Sequence, residues 1–292
     1  MRIHALTTGS VSLKHAFLYP REGVRRQLDL FLPGEWSPPV PIHCWATEHE
    51  DRVLLVDTGE HAIACNIPFA RFHVTPADEL PAAFSAAGLS LDDVSEVILT
   101  HHHGDHVDGL AHVRAPARMG EAEFGFFDLP FSRTMRRVLR QPLPRGFAPQ
   151  PLSFGDGAFG AFPRSRSLSE DGRIVAVETP GHTPGHLSVI CVADDGNHVM
   201  LAGDATDTLE QLRARRADAV GPDPKVHVAT LGLILEHCER HPTVYLPSHD
   251  PESATRLAGA VTVGSHPPSS SLGARGPLRR RARVQNARIA AI

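Results

Sequence analysis

Between Thr100 and His106 the chain reads Thr-His-His-His-Gly-Asp-His, which sets His101, His103, Asp105 and His106 within six residues. Imidazole and carboxylate without thiolate suit zinc and, next, manganese or iron. In a tight loop His101 and His103 can turn to one cation, and Asp105 and His106 to a second beside it. His102 alternates with two donors, so its ring is expected to turn away. Three further donors stand downstream, each just past a strand-like apolar run. They are His182 in Thr179-Pro-Gly-His-Thr-Pro-Gly-His186, Asp204 in Leu201-Ala-Gly-Asp, and His249 in Leu246-Pro-Ser-His-Asp250. Two divalent cations held by such groups lower the pKa of bound water to about 7 and supply hydroxide at neutral pH for attack on an ester-like carbonyl. Asp105 is the group best placed to shuttle the proton. A resident electrophile removes the need for a serine or cysteine nucleophile.

Elements must bring these donors together. Pro41–Glu48 and Arg52–Asp57 read as strands joined by a turn at Glu50-Asp51, the second ending in Asp57-Thr58-Gly59. Val94–Leu99 is a strand that runs straight into the histidine loop. Arg173–Glu178, Leu187–Ala193, His198–Ala202 and Val244–Leu246 read as further strands. Helices are expected from Thr75 to Ala87, within Glu121–Leu139, and over Leu209–Arg216, Val226–Glu239 and Pro251–Ala260. Strands in two blocks, each followed by helices, predict two sheets packed together with helices outside. The donors then collect at strand ends, where sites form in α/β proteins.

Composition narrows the function classes. Histidine occurs 19 times in 292 residues, far above ordinary usage, and the excess clusters at the motifs above. The four cysteines (Cys44, Cys65, Cys191, Cys238) form no CxxC pair and read as reduced core thiols. The formal charge is −4, yet residues 265–292 hold six arginines and no acid, leaving 23 basic against 33 acidic residues in 1–264. An acidic body argues against a nucleic-acid partner. No apolar run reaches the roughly 18 residues of a membrane span, and no signal region opens the chain, so a cytoplasmic protein is expected. Residues 1–264 read as one hydrolase domain. The stretch 265–292, rich in Pro, Ser, Gly and then Arg, reads as a disordered tail.

The motifs, in order H-x-H-x-D-H, T-P-G-H-T-P-G-H, G-D and P-S-H-D, with Asp57-Thr58-Gly59 ahead of them, resemble the metallo-β-lactamase superfamily over roughly residues 1–262. The resemblance implies an α/β fold, an αββα four-layer sandwich with the metal site on one edge of the two sheets. It implies two divalent metal ions, zinc first. His101, His103 and His182 would hold the first, Asp105, His106 and His249 the second, and Asp204 would bridge them, with Asp105 and Asp204 as the catalytic carboxylates. Asp57 and His186 would support the ligands from behind. A bridging aspartate is similar to lactonases and glyoxalase II-like thioesterases rather than to β-lactamases. Only about 13 ordered-looking residues follow His249, too few for the helical extension of glyoxalase II. The N-acyl homoserine lactonase-like branch fits best, including a segment of about 40 residues before the first strong strand. A thioesterase of the glyoxalase II type, or another ester or phosphoester hydrolase of the same fold, is the alternative.

That branch carries a tyrosine three residues after the bridging aspartate, where this chain has Asp207. Asp207 is therefore a candidate substrate contact; its place at a helix start makes a capping role the competing explanation, with Arg213, Arg215 and Arg216 as nearby partners. Phe124 and Phe127, beside Phe126 and Phe131, are candidates for an acyl pocket, and core packing explains them equally well. Phe17, Tyr19, Phe31 and Trp36 form a second candidate wall. The expected partner is a small-molecule substrate, with a homodimer left open.

Overall fold

The central strands bury both faces, and each face goes to a different core. The structure, a computed structural model, describes residues 1–144 and 147–264; the predicted arginine-rich tail lies outside the described residues. Strands β1 (Arg2–Leu13), β2 (Val40–His49), β3 (Arg52–Val56), β4 (Ala70–His73), β5 (Val94–Leu99), β6 (Ala117–Gly120) and β7 (Gln150–Leu152) form one sheet, in the order β4-β1-β2-β3-β5-β6-β7. Strands β8 (Ser165–Ser167), β9 (Ile174–Glu178), β10 (Leu187–Val192), β11 (His198–Gly203) and β12 (Thr243–Pro247) form a second, in the order β12-β11-β10-β9-β8. The helices are α1 (His15–Leu18), α2 (Arg25–Leu28), α3 (Leu80–Ala86), α4 (Gly104–Val107), α5 (Glu121–Phe127), α6 (Pro130–Val138), α7 (Leu209–Arg213), α8 (Pro224–Arg240) and α9 (Ser253–Ala258).

Successive strand residues point to opposite faces, and the cores follow that period. Leu54 and Val56 of β3 face inward with Trp45 and Ile98, meeting Val189, Cys191 and Leu201 of the second sheet. Their neighbours Val53 and Leu55 face outward and are covered by Leu80 and Phe84 of α3. On the second sheet Val175, Ile190 and Met200 face outward, against Leu212 of α7 and Leu231 and Ile234 of α8. Burial on both faces explains why β9, β10 and β11 read as continuous apolar runs rather than as alternating ones. The result is the expected αββα sandwich.

The β2–β3 hairpin turns at Glu50 and Asp51, both with positive φ (49° and 59°), as a two-residue turn matching strand twist requires. The expectation of a segment of about 40 residues before the first strong strand is corrected. Arg2–Leu13 is a twelve-residue strand that pairs antiparallel with β2 and β4. Its period is broken by a register shift between Thr7 and Ser10, where Gly9 has φ +92°, so no clean alternation shows in the sequence. The predicted Glu121–Leu139 helical stretch is two helices, the second opening on Pro130. Cys44 and Cys191 are core thiols as expected, but Cys65 is exposed. No helix among the described residues is long and apolar enough to cross a membrane.

Candidate metal centre

Five chain segments deliver their ends to one edge of the sandwich. β3 ends at Asp57, β5 at the 100–106 loop, β9 at the loop carrying His182, β11 at Asp204 and β12 at His249. Within the loop, α4 winds Asp105 and His106 into a helical turn, whereas His103 caps it in extended chain and His101 lies in the bend before it. This change of conformation after His103 sends the two donor pairs in different directions.

The ligand-type atoms converge. His103 Nδ1 lies 3.0 Å from His101 Nε2 and 2.9 Å from His182 Nε2. Asp204 sits between the two sets: one oxygen is 3.5 Å from His182 Nε2 and 3.4 Å from His249 Nε2, and the other is 3.3 Å from His106 Nε2. His249 Nε2 is also 3.3 Å from Asp105. Donors about 2.1 Å from a tetrahedral zinc ion stand roughly 3.3 Å apart, so these separations fit first-row cations. His106 Nε2 and one oxygen of Asp204 are fully buried with no hydrogen-bond partner, an arrangement that a bound cation satisfies. The residues present therefore fit a dinuclear centre.

Four of the five rings are turned by a hydrogen bond on the far side, which fixes the nitrogen left free. Asp57, itself at φ +60°, accepts from Thr100 N at 2.8 Å, from Thr100 Oγ1 at 2.9 Å and from His106 Nδ1 at 2.8 Å. With its proton committed to Asp57, Thr100 Oγ1 accepts from His101 Nδ1 at 3.0 Å. His182 Nδ1 donates to Asp218 at 2.7 Å, and His249 Nδ1 to the Pro41 carbonyl at 3.0 Å. His186 binds no cation. It donates from Nδ1 to Thr179 Oγ1 at 2.9 Å and accepts the Asp204 amide on Nε2 at 3.0 Å, which aims the bridging carboxylate. The glycine before Asp204 is required here: Gly203 has φ +55°, and a Cβ on it would meet His186 Nε2 and Thr100 Cβ, both at 2.8 Å.

Electrostatics match this arrangement. Burial and neighbouring imidazoles hold His101 and His103 well below the ordinary histidine value, in the neutral form that ligates. Burial also opposes charge on His106 and His249, yet the surrounding carboxylates, Asp204 foremost, lift both well above it. Burial opposes charge on His182 as well, but Asp218 lifts it to about 9. Buried carboxylates thus demand positive charge at this edge.

Two supporting residues escaped the sequence reading. Asp218 takes the His182 proton and is itself fixed by the amides of Val220 and Gly221, at 2.9 and 3.0 Å. Glu123 is fully buried, accepts from the His102 amide at 3.1 Å and from its ring, and accepts from Gly185 N at 3.1 Å. It staples the histidine loop to the His182 loop. His102 therefore turns from the ligand cluster, as expected, but onto the buried Glu123 carboxyl. The only local signal for Asp218 is an Asp two residues before Val220 and three before Gly221, an Asx-turn pattern common in loops.

The donors form the floor of a cavity of about 370 Å³. His103, Asp105, His182, Asp204 and His249 line its polar end; Phe17, Phe31, Phe69, Phe126, Phe131 and Met135 are among its apolar walls. The expectation for Phe124 and Phe127 is corrected. Phe127 is buried in the core under the first sheet, packed edge-on against Phe124 and Phe147 at 5.4 and 5.3 Å, so one helical turn aims these rings away from the cavity that Phe126 faces. Phe17 and Phe31 of the second proposed wall line the cavity; Tyr19 and Trp36 do not. Asp207 is buried without lining the cavity. Capping of α7 falls instead to Thr208, whose Oγ1 accepts from Gln211 N at 3.2 Å, and among the described residues Asp207 forms no ion pair with Arg213, Arg215 or Arg216. Burial, then Asp204, raises its carboxyl to about 7. A larger open groove of about 810 Å³ along α8 contains none of the ligand-type residues.

The sequence matches the Metallo-beta-lactamase superfamily over residues 37–249, and the chain belongs to that superfamily. Its converged donor sets fit the dinuclear centre of a metal hydrolase. Among curated relatives, the uncharacterized protein YobT of Bacillus subtilis (strain 168) is 26% identical over 174 residues, 56% of this chain and 62% of that protein. An N-acyl homoserine lactonase of a Bacillus species is 24% identical over 231 residues, 75% of this chain and 85% of the lactonase. The chain thus spans under two thirds of the first relative and most of the second. A solved N-acyl homoserine lactone hydrolase, with the product N-hexanoyl-L-homoserine bound at its catalytic metal centre, superimposes with a TM-score of 0.67 at 20% identity, covering 87% of this chain and 94% of that one.

Proposed function

We propose that this protein opens lactones, or cleaves related carboxylic esters, that carry an extended apolar acyl arm, at a centre holding two zinc ions. One observation carries the reading: the ligand cluster closes the end of an aromatic-walled cavity. His101, His103 and His182 hold the first ion, Asp105, His106 and His249 the second, and Asp204 bridges. Zinc is favoured by five imidazoles and two carboxylates with no thiolate. The similarity to N-acyl homoserine lactonases supports the substrate class.

When bound, the cations polarise the scissile carbonyl and acidify water at neutral pH. The chain supplies the rest. Phe126, Phe131 and Met135 receive the acyl arm and exclude water, which strengthens electrostatics at the polar end. Asp105 reaches into the cavity, where its carboxylate takes the proton lost by the attacking water and returns it to the leaving alkoxide. Asp57, Asp218 and His186 keep the rings and the bridging carboxylate in register, so little reorganises during reaction.

A hydrolysis panel of lactones graded by acyl length, matched open-chain esters, and acyl thioesters tests the assignment on zinc-loaded protein. Turnover per KM is expected to rise with acyl length on lactones and esters and to stay lower on thioesters. Preference for thioesters of the same acyl group would replace this reading with the thioesterase one.

A further inference from the structure

Behind the dinuclear centre, a second group of donors converges on three segments that the mechanism does not use. His61 lies on the loop after β3, Glu79 stands just before α3, and His112 ends the 108–112 turn after the metal loop. His112 Nε2 is 3.3 Å from one oxygen of Glu79, and His61 Nδ1 is 3.7 Å from the other. The two imidazoles meet edge to face with centroids 5.5 Å apart. One donor atom from each residue lies within 4.8 Å of the others. The side chains are 21%, 19% and 30% exposed, partly buried yet open to a solvent ligand.

These distances do not describe ordinary ion pairs. A charge-assisted N–H to carboxylate bond closes to about 2.7–2.9 Å, and neither contact does. His112 Nε2 is buried and without a hydrogen-bond partner although it faces Glu79. The 3.3 Å between His112 and Glu79 is the separation of donors sharing one first-row cation, and His61, 3.7 Å from the other Glu79 oxygen, is in reach of the same ion. Glu79 is preorganised: its Oε1 accepts the Ala62 amide at 3.0 Å, which holds the carboxylate over the His61 loop instead of capping its own helix. Two further carboxyl groups, those of Glu60 and Asp108, crowd together beside Gly104.

We propose that His61, Glu79 and His112 form a third cation site, sharing no residue with the dinuclear centre, that takes a divalent transition ion of the zinc class. Two imidazoles and one carboxylate select against calcium and magnesium, which need oxygen donors. A cation there ties the 57–61 loop to the 108–112 turn. Those same segments are already closely packed, with Thr58 N donating to the His106 carbonyl at 2.8 Å and Gly109 N to the Gly59 carbonyl at 3.2 Å. Gly109 approaches so closely that a Cβ on it would sit 2.0 Å from the Thr58 carbonyl oxygen. The third ion therefore acts as a clamp on the two strand ends that carry Asp57 and His106.

The test compares the full-length zinc-loaded protein with His61→Ala/His112→Ala and with Glu79→Gln by equilibrium dialysis against zinc and elemental analysis. Wild type is expected to hold one more zinc per chain than the double variant. Because the result is a difference between proteins, it is independent of how many ions the dinuclear centre holds. At free zinc about a hundredfold above the dissociation constant of this step, the wild-type thermal midpoint rises by roughly 5 °C and that of the variant does not. Copper(II) added to the zinc-loaded wild type gives an electron paramagnetic resonance spectrum with splitting from two nitrogens, which Glu79→Gln weakens; this readout on wild type stands even if a variant fails to fold. Equal zinc content in wild type and double variant, or wild-type protein with no two-nitrogen copper signal, would overturn the proposal.

Discussion

The two halves of the metal centre are built differently. The half from the first sheet is local: His101, His103, Asp105 and His106 stand on one loop, and the Asp57 carboxylate holds that loop through Thr100 and His106, with Glu123 holding it at His102. The half from the second sheet is distributed: His182, Asp204 and His249 come from three strand ends, and each has its own support, in Asp218, His186 and the Pro41 carbonyl. A local set is fixed mainly by short-range chain geometry. A distributed set depends on the register of β9, β11 and β12, and so on the packing of the whole second sheet. One local support serves many donors, whereas each distributed support serves one. Loss of the Asp57 support should therefore spread to both cations, whereas loss of the Asp218 support should stay with one.

The bridging residue joins both halves, so its removal has the largest effect. Asp204→Ala is expected to lower turnover by roughly 10³-fold or more and to reduce occupancy of both cation positions, as read by kinetics and elemental analysis. Retention of two tightly held ions would mean the halves are not coupled through this carboxylate. Next come the supports. Asp218→Ala should weaken one cation by about 10–100-fold while the other holds, and Asp57→Ala should weaken both and also lower the thermal midpoint. Competition titrations with a chelator measure this, and identical two-step losses for the two variants would break the local-versus-distributed distinction.

His102→Ala probes the staple between the halves. It leaves Glu123 buried beside an unpaired site, so stability should fall by roughly 1–3 kcal/mol in denaturant unfolding, with cation content unchanged. Burial pushes the Glu123 carboxyl up, but hydrogen bonding to His102 holds it down at about 2. A smaller effect is expected at Asp207. Its folded-state value of about 7 lies above the ordinary 3.8, so the folded protein retains a proton that the unfolded chain has released. Stability is lost as pH rises between those values, and Asp207→Asn removes the loss. The variant should gain stability over the parent at pH 8 and nothing below pH 4. A gain that is equal at both pH values would show that the carboxyl is not strained by ionisation. Smallest of all, truncation after Gly264 should leave thermal midpoint and turnover nearly unchanged, and a large drop in either would show that the basic tail docks on the acidic body.

Legibility in the sequence follows the same division. The 100–106 loop announces itself because its donors are consecutive and its spacing is rare by chance. His182, Asp204 and His249 were legible because each lies directly after a strand buried on both faces, which leaves a continuous apolar run in the sequence. Asp218 and Glu123 were not, because a supporting carboxylate needs only to reach one ring or one amide in space, and no spacing along the chain records that. Phe124 and Phe127 failed for a related reason. A helical stretch with aromatics at four positions shows that some face is buried, but only packing decides which ring meets the core and which meets the cavity. β1 was hidden by the register shift at Gly9, since one extra residue inverts the alternation halfway along the strand.

The central claim is that the two halves act as one centre through a shared carboxylate. The most direct measurement is zinc titration of metal-free protein carrying His61→Ala/His112→Ala, following lactone turnover and bound zinc together. Turnover is expected to reach its plateau only as the second equivalent binds, and a full plateau at one equivalent, or activity indifferent to zinc, would contradict the account.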